Sequence, residues 1–254
     1  MSRASRIGLA GIGSLGAAGI LYSGPTVVGL SSVGVRVAPT LVGHGRHDHV
    51  ALTFDDGPDP DSTPAFLDML EELGWSATFF MLGEMARRAP SLVAATARAG
   101  HEVAVHGDRH RSMLYRTPVA VRDDIRRCRD TLAELSGAEP KWFRPPYGML
   151  TVAAAHRARL AGLTPVLWTH WGRDWRRRAT AASVANDVIG RNLPGATVLL
   201  HDSDCHSAPG SWRTTLAALP RLADEFARQG LTVGPLRDHG IPPSKWRRPI
   251  SGAA

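Results

Sequence analysis

The chain has 254 residues, 43% hydrophobic and 21% charged, a balance that excludes a collagen-like, coiled-coil or disordered chain and suits one sizeable core in one or two domains. Thirty basic against 23 acidic residues give a formal charge of +7; such a field favours anionic partners, although a solvated basic surface also explains it. Two cysteines, Cys128 and Cys205, are too few for a disulfide scaffold and form no C-x-x-C pair, and the sequence leaves open whether they bridge.

Arg3 and Arg6 precede a charge-free run over 7–35. A positive start followed by an apolar stretch predicts export, with residues 1–35 either a cleaved signal or a membrane anchor acting through residues 7–30. Ser23, Gly24 and Pro25 interrupt the apolarity, which weakens a straight spanning helix. Residues 36–48 read as a linker, 49–236 as the folded domain and 237–254 as a short basic tail.

Within the domain, short β-branched or aromatic runs alternate with stretches of helical period. Strands are expected over 50–54, 77–82, 102–105, 142–144, 165–169, 197–201 and 231–233. Helices are expected over 63–73, 86–99, 119–136, 152–161, 181–192 and 212–229. Gly74, Gly100, Gly137, Gly162 and Gly230 follow the helices, where a left-handed cap is wanted. This rhythm predicts an α/β fold with a parallel sheet covered by helices. Seven strands suit a distorted (β/α)7-type barrel, closed or nearly so, better than an open sheet, though periodicity alone leaves the open form standing.

The unusual residues fall at the C-terminal ends of the strands, where the active site of a β/α barrel lies. Thr53-Phe54-Asp55-Asp56-Gly57-Pro58 puts two carboxylates directly after an apolar run. They repel unless a cation needs them, and the alternative is a plain surface turn. His106-Gly107-Asp108-Arg109-His110 spaces two imidazoles at i, i+4, within reach of one metal. Two His and a carboxylate form a familiar catalytic zinc set with a position left for water.

Arg144-Pro145-Pro146-Tyr147-Gly148 has its path set by two prolines. The Tyr147 N–H is then available to an oxyanion, and Arg144 to a carboxylate. Trp171-Gly172-Arg173-Asp174-Trp175 and Leu199-Leu200-His201-Asp202 complete the set. His201, at the end of a very apolar run, is either a satisfied core histidine or a general acid.

Together these five segments resemble the polysaccharide deacetylases, the family of NodB-type chitooligosaccharide deacetylases and peptidoglycan N-acetylglucosamine deacetylases. The resemblance runs from about residue 50 to residue 233. It implies that Asp55 is the catalytic base and that Asp56, His106 and His110 bind a divalent metal, zinc first among the candidates. It implies that Arg144 orients Asp55, that the Tyr147 N–H holds the oxyanion, that Asp174 sets the charge state of the apparatus, that Trp175 and Leu199 wall an acetyl pocket, and that His201 is the general acid.

Two departures stand out. Gly107 replaces the family's Ser or Thr, and Trp171 replaces the first Asp of D-x-x-D-W. The resemblance implies hydrolytic N-deacetylation of a chitooligosaccharide or peptidoglycan-like glycan facing the cell wall. Another amide on the same scaffold, or a non-catalytic wall-glycan binder, are the alternatives. Arg173, Arg176, Arg177 and Arg178 are placed to engage an anionic glycan or to form a solvated basic loop; no nucleic-acid motif accompanies them, and nucleic acid is not an expected partner.

Overall fold

The computed structural model describes residues 34–242. The segment 1–33 of the expected leader or anchor, and the tail beyond residue 242, lie outside the described residues. Among the described residues no helix is long and apolar enough to cross a membrane.

Eight strands form one sheet: β1 (His49–Asp55), β2 (Thr78–Met81), β3 (Glu102–Val105), β4 (Trp142–Phe143), β5 (Thr164–Pro165), β6 (His170–Trp171), β7 (Thr197–His201) and β8 (Thr232–Gly234). The hydrogen-bonded order is β5-β4-β3-β2-β1-β7-β6, with β8 also on β1. Every pairing is parallel. Among the described residues no pairing joins β5 to β6, so the sheet curls into a barrel that stays open there.

β1 is the axis of the molecule, and all seven of its residues are buried. Its alternation sorts them by face. Val50, Leu52 and Phe54 enter the main core beneath the helices. Phe54 packs against Phe66 and Phe79 with ring centroids 5.1 Å away in both cases. Burying one such ring contributes roughly 2–3 kcal/mol. Ala51 joins Phe80, Ala104, Trp142 and Val166 in a second, inner cluster. Ala51, Thr53 and Asp55 therefore share the inner face, and Asp55 ends the strand at the rim.

The helices are α1 (Gly34–Val37), α2 (Pro39–Val42), α3 (Thr63–Glu72), α4 (Gly83–Arg88), α5 (Pro90–Arg98), α6 (Pro118–Ser136), α7 (Val152–Leu160), α8 (Ala181–Ile189) and α9 (Ser211–Arg228). In α6 the buried stripe is Val121, Ile125, Cys128 and Leu132, the spacing of one helical face. Thr117 caps its start, accepting from the Ala120 N–H, and Gly137 at φ 71 ends it.

Three expectations change in detail. The helix over 86–99 is two, α4 and α5, because Pro90 forces Ala89 out of the helical region, to φ −132 and ψ 60. The strand over 165–169 is not one strand. Its backbone bonds diverge, with Val166 N–H donating to Phe143 O, Leu167 N–H to Leu41 O and Thr169 N–H to Thr197 O. Only its flanks pair, as β5 and β6. Finally, residues 36–48 include α2 and are tied to the body: Gly45 N–H donates to Gly195 O, and Thr197 Oγ1 donates to Gly43 O. Cys128 and Cys205 are both free thiols, one buried and one exposed.

Candidate active site

The strand ends gather the expected residues around one cavity of about 340 Å³, with Asp55, Asp56, His106, His110, Tyr147, Trp175, Leu199 and His201 in its lining. Arg144 and Asp174 are not in the lining; they stand behind it, each fully buried.

Arg144 crosses the barrel interior, which the small Ala51 and Thr53 on the inner face of β1 leave open. Its Nη1 donates to Asp55 Oδ1 at 2.8 Å and to Thr53 Oγ1 at 2.7 Å, and its Nη2 donates to Leu167 O at 2.8 Å. The guanidinium also lies 4.0 Å from the centre of the Phe80 ring. Burial pulls its pKa down and Asp55 opposes that. With Oδ1 occupied, the other oxygen of Asp55 faces His106 Nε2 at 3.7 Å.

Asp56 leaves the strand at φ 84, a left-handed conformation that a non-glycine residue holds only when its surroundings insist. Its Oδ1 is 3.4 Å from Nε2 of both His106 and His110. That oxygen is buried and makes no hydrogen bond. Burial alone would raise the Asp56 pKa, but His106 first, and then the charge of His201, hold it well below the carboxylate range. His106 is oriented from behind through Nδ1, 2.9 Å from Arg144 O, which presents Nε2 to Asp56. Burial pushes His110 down to about 3, against the pull of Asp56, so it is a neutral imidazole.

One ligand atom from each of Asp56, His106 and His110 lies within 4.8 Å of the others. A buried anionic oxygen without a hydrogen bond, facing two imidazole nitrogens, is a donor set that fits a divalent cation of nitrogen and oxygen preference.

Opposite them, Asp174 grips His201. Burial would lower the His201 pKa, but Asp174, then Asp56 and Asp55, raise it to about 10, so the ring is an imidazolium at neutral pH. Trp175 meets His201 edge-on at 5.7 Å. Tyr147 turns through φ 60, is 59% exposed, and sets its ring against His110 at 4.3 Å.

Two glycines are required by close approach. A Cβ on Gly57 would lie 2.3 Å from Asp202 Oδ2. Asp202 accepts from the Gly57 N–H and the Thr63 hydroxyl, locking the loops after β1 and β7 together, and burial pushes its carboxyl up to about 7. Gly107 has φ 106, and a Cβ there would come to 3.0 Å from Asp124 Oδ2. That carboxylate accepts the Asp108 N–H at 2.8 Å and pairs with Arg116. The loop between the two histidines is thus steadied by Asp124 in place of a hydroxyl at position 107.

Sequence reasoning missed Trp168, His206 and Ser207, which also line the cavity. His206 stacks on His110 with centroids 4.2 Å apart and planes at 16°. An imidazole five residues past His201 was its only signal. Trp171 lines the cavity too, 5.8 Å from Trp168 and 5.5 Å from Trp175. Of the basic cluster, Arg173 lies over the Trp171 ring at 5.4 Å and Arg176 pairs with Asp187, while Arg177 and Arg178 are exposed.

A family profile described as polysaccharide deacetylase matches residues 43–166. The chain is 34% identical over 179 residues to a peptidoglycan-N-acetylglucosamine deacetylase of Bacillus cereus, covering 70% of this chain and 65% of that protein. It is 35% identical over 197 residues to a chitooligosaccharide deacetylase of Bradyrhizobium, covering 74% of this chain and 88% of that protein. The chain thus spans a little under two thirds of the first relative and most of the second. The solved structure of the peptidoglycan N-acetylglucosamine deacetylase Bc1960 matches with a TM-score of 0.75 at 29% identity, over 85% of this chain and 99% of that one.

Proposed function

The chain belongs to the polysaccharide deacetylase family, and from that membership we propose that it hydrolyses the N-acetyl groups of an amino-sugar polymer or oligosaccharide, releasing acetate. The observation that carries the reading is the meeting, in one cavity, of a paired-off carboxylate (Asp55), a cation-ready triad (Asp56, His106, His110) and a protonated imidazole (His201). Its relatives bear the names of peptidoglycan and chitooligosaccharide deacetylases, which supports a wall-type or chitin-type glycan as substrate and an exported location, with residues 1–35 as signal or anchor.

Asp56, His106 and His110 would hold the divalent metal, with zinc the first candidate. When bound, such an ion polarises an amide carbonyl and acidifies water. The chain's own groups supply the rest. Asp55, its Oδ1 fixed by Arg144, keeps Oδ2 for the proton of the attacking water. The oxygen of that water bonds to the acetyl carbon, and the backbone N–H of Tyr147 stabilises the negative oxygen that results. His201 delivers its Nε2 proton to the amide nitrogen as the C–N bond breaks, leaving acetate and a free amino sugar. Asp174 holds His201 in place and in charge. Trp175 and Leu199 enclose the acetyl methyl group and exclude water.

The test is acetate release from N-acetylglucosamine oligomers and from peptidoglycan by the wild type and by Asp55→Asn. Release by the wild type that vanishes in Asp55→Asn is expected. No release from any N-acetylated glycan by metal-loaded protein would overturn the reading.

A further inference from the structure

A second concentration of charge lies away from this cavity, on the outer helical layer. α6 carries Arg122, Arg126 and Arg129 at i, i+4 and i+7, which places them on one face. With Arg157, Leu160 and Ala161 from α7 and its end they line a cleft of about 340 Å³. Four guanidinium groups around one concavity repel one another unless an anion stands between them.

Only part of that charge is answered within the protein. Arg122 pairs with Asp123 at 2.8 Å and Arg129 pairs with Asp130, both acids being exposed neighbours along the helix. Neither Arg126 nor Arg157 forms a salt bridge among the described residues, and the carboxylate that acts on Arg126, Asp123, is already paired with Arg122. Arg129 Nη1 also donates to Ala161 O at 2.9 Å. That bond satisfies a carbonyl at the end of α7, where the helix dipole would otherwise repel an anion, and it fixes one guanidinium in the cleft wall.

We propose that this cleft between α6 and α7 binds phosphate groups of an extended anionic chain. A carboxylate offers two oxygens and fits one guanidinium fork, whereas a phosphate presents oxygens to several forks at once. Arg122 to Arg129 extends about 10 Å along the helix, room for successive phosphates. A concave cleft with arginines on both walls suits a strand laid along it better than a flat lipid surface. The proposal is independent of the reaction in the main cavity; a phosphate-bearing wall polymer is the class of ligand that would bring such a cleft into use.

The test is calorimetric titration of the full chain with inorganic tripolyphosphate at physiological salt, with citrate as the carboxylate control. Arg126→Glu/Arg157→Glu is compared with Arg88→Glu/Arg221→Glu, which makes the same charge change at exposed arginines elsewhere. Expected are one tripolyphosphate site, weaker citrate binding, and a loss of about tenfold or more in affinity confined to the first variant. Thermal melts check that each variant folds, and Arg126→Gln/Arg157→Gln serves if the reversal does not. Equal affinity for citrate, equal loss in both variants, or no binding of tripolyphosphate would each overturn the proposal. Binding to phosphatidylglycerol vesicles with none to tripolyphosphate would overturn it in favour of a membrane-facing surface.

Discussion

Asp174 holds His201 at two points: its Oδ2 accepts the His201 backbone N–H at 2.8 Å, and its Oδ1 faces His201 Nδ1 at 2.9 Å. Thr215 donates its hydroxyl to the same Oδ2 at 2.8 Å, so the carboxylate is fully buried yet satisfied. This arrangement fixes which imidazole nitrogen faces the cavity and keeps the ring charged.

Asp174→Asn should therefore lower turnover by about a hundredfold or more and reshape its pH dependence. In the wild type Asp174, first among the nearby carboxylates, raises the His201 pKa well above its ordinary range, so deprotonation of His201 should not limit activity through the neutral region. Without the Asp174 charge the ring returns toward its ordinary range near 6.5. Activity should then fall through the neutral region as pH rises. A rate profile of both proteins from pH 5 to pH 10 checks this, and an unchanged alkaline limb in the variant would remove Asp174 from its role.

Metal content separates the two adjacent aspartates. Asp56→Asn and His106→Ala should each weaken metal binding by more than the roughly 10–100-fold typical of losing a supporting partner. Asp55→Asn should keep its metal and lose turnover. Chelation of the wild type should abolish acetate release, and added zinc should restore it. Elemental analysis beside the activity assay reads both outcomes.

Arg144 is a buried cation whose Nη groups reach Asp55, Thr53 and Leu167. Arg144→Ala should destabilise the fold by about 3–5 kcal/mol, because it leaves the Asp55 charge buried and unpaired. Arg144→Lys keeps the charge but not the fork, and should recover stability better than turnover. Denaturant melts together with kcat would distinguish them.

Trp171 stands where the family pattern has an aspartate. It continues the aromatic wall of Trp168 and Trp175. Trp171→Asp should raise KM for long oligomers by about tenfold, the loss of one stacking surface, while kcat changes little. A fall in kcat at constant KM would instead place the residue in the catalytic network.

Acid should unfold the protein through histidines outside the site. His101, His170 and His239 are buried, and burial first, then nearby Arg237, Arg191 and His49 respectively, pushes each down to about 4. Because the folded pKa lies below the unfolded value near 6.5, the unfolded chain binds these protons first. Stability is full above pH 6.5 and falls between there and about 4, each ring removing on the order of 2 kcal/mol. Glu102, raised by burial, acts in the opposite sense at the acid end. Melting temperatures from pH 7 to pH 4 measure the net slope, and His239→Gln should flatten it.

Much of this was legible in the sequence, because it is local. The helix stripes, the glycine caps, and the carboxylate and imidazole pairs at strand ends all depend on neighbours a few residues apart. The sequence named His106 and His110 as a pair, but they meet through an irregular loop that bends at Gly107, φ 106, and not on one face of a helical turn; Asp56 joins them because parallel strands align their C-terminal ends. What only the tertiary structure decided depends on residues far apart in the chain. Arg144 meets Asp55 across 89 positions. The run 165–169 is split because its donors find partners on opposite sides of the opening in the barrel. Asp124 takes over the support of the loop at Gly107, and His206 folds back onto His110. Arg157 completes a cleft with arginines of another helix. Periodicity reports which face of an element is buried, but not which distant group meets it; that is set by side-chain packing and hydrogen-bond satisfaction once the sheet has curled.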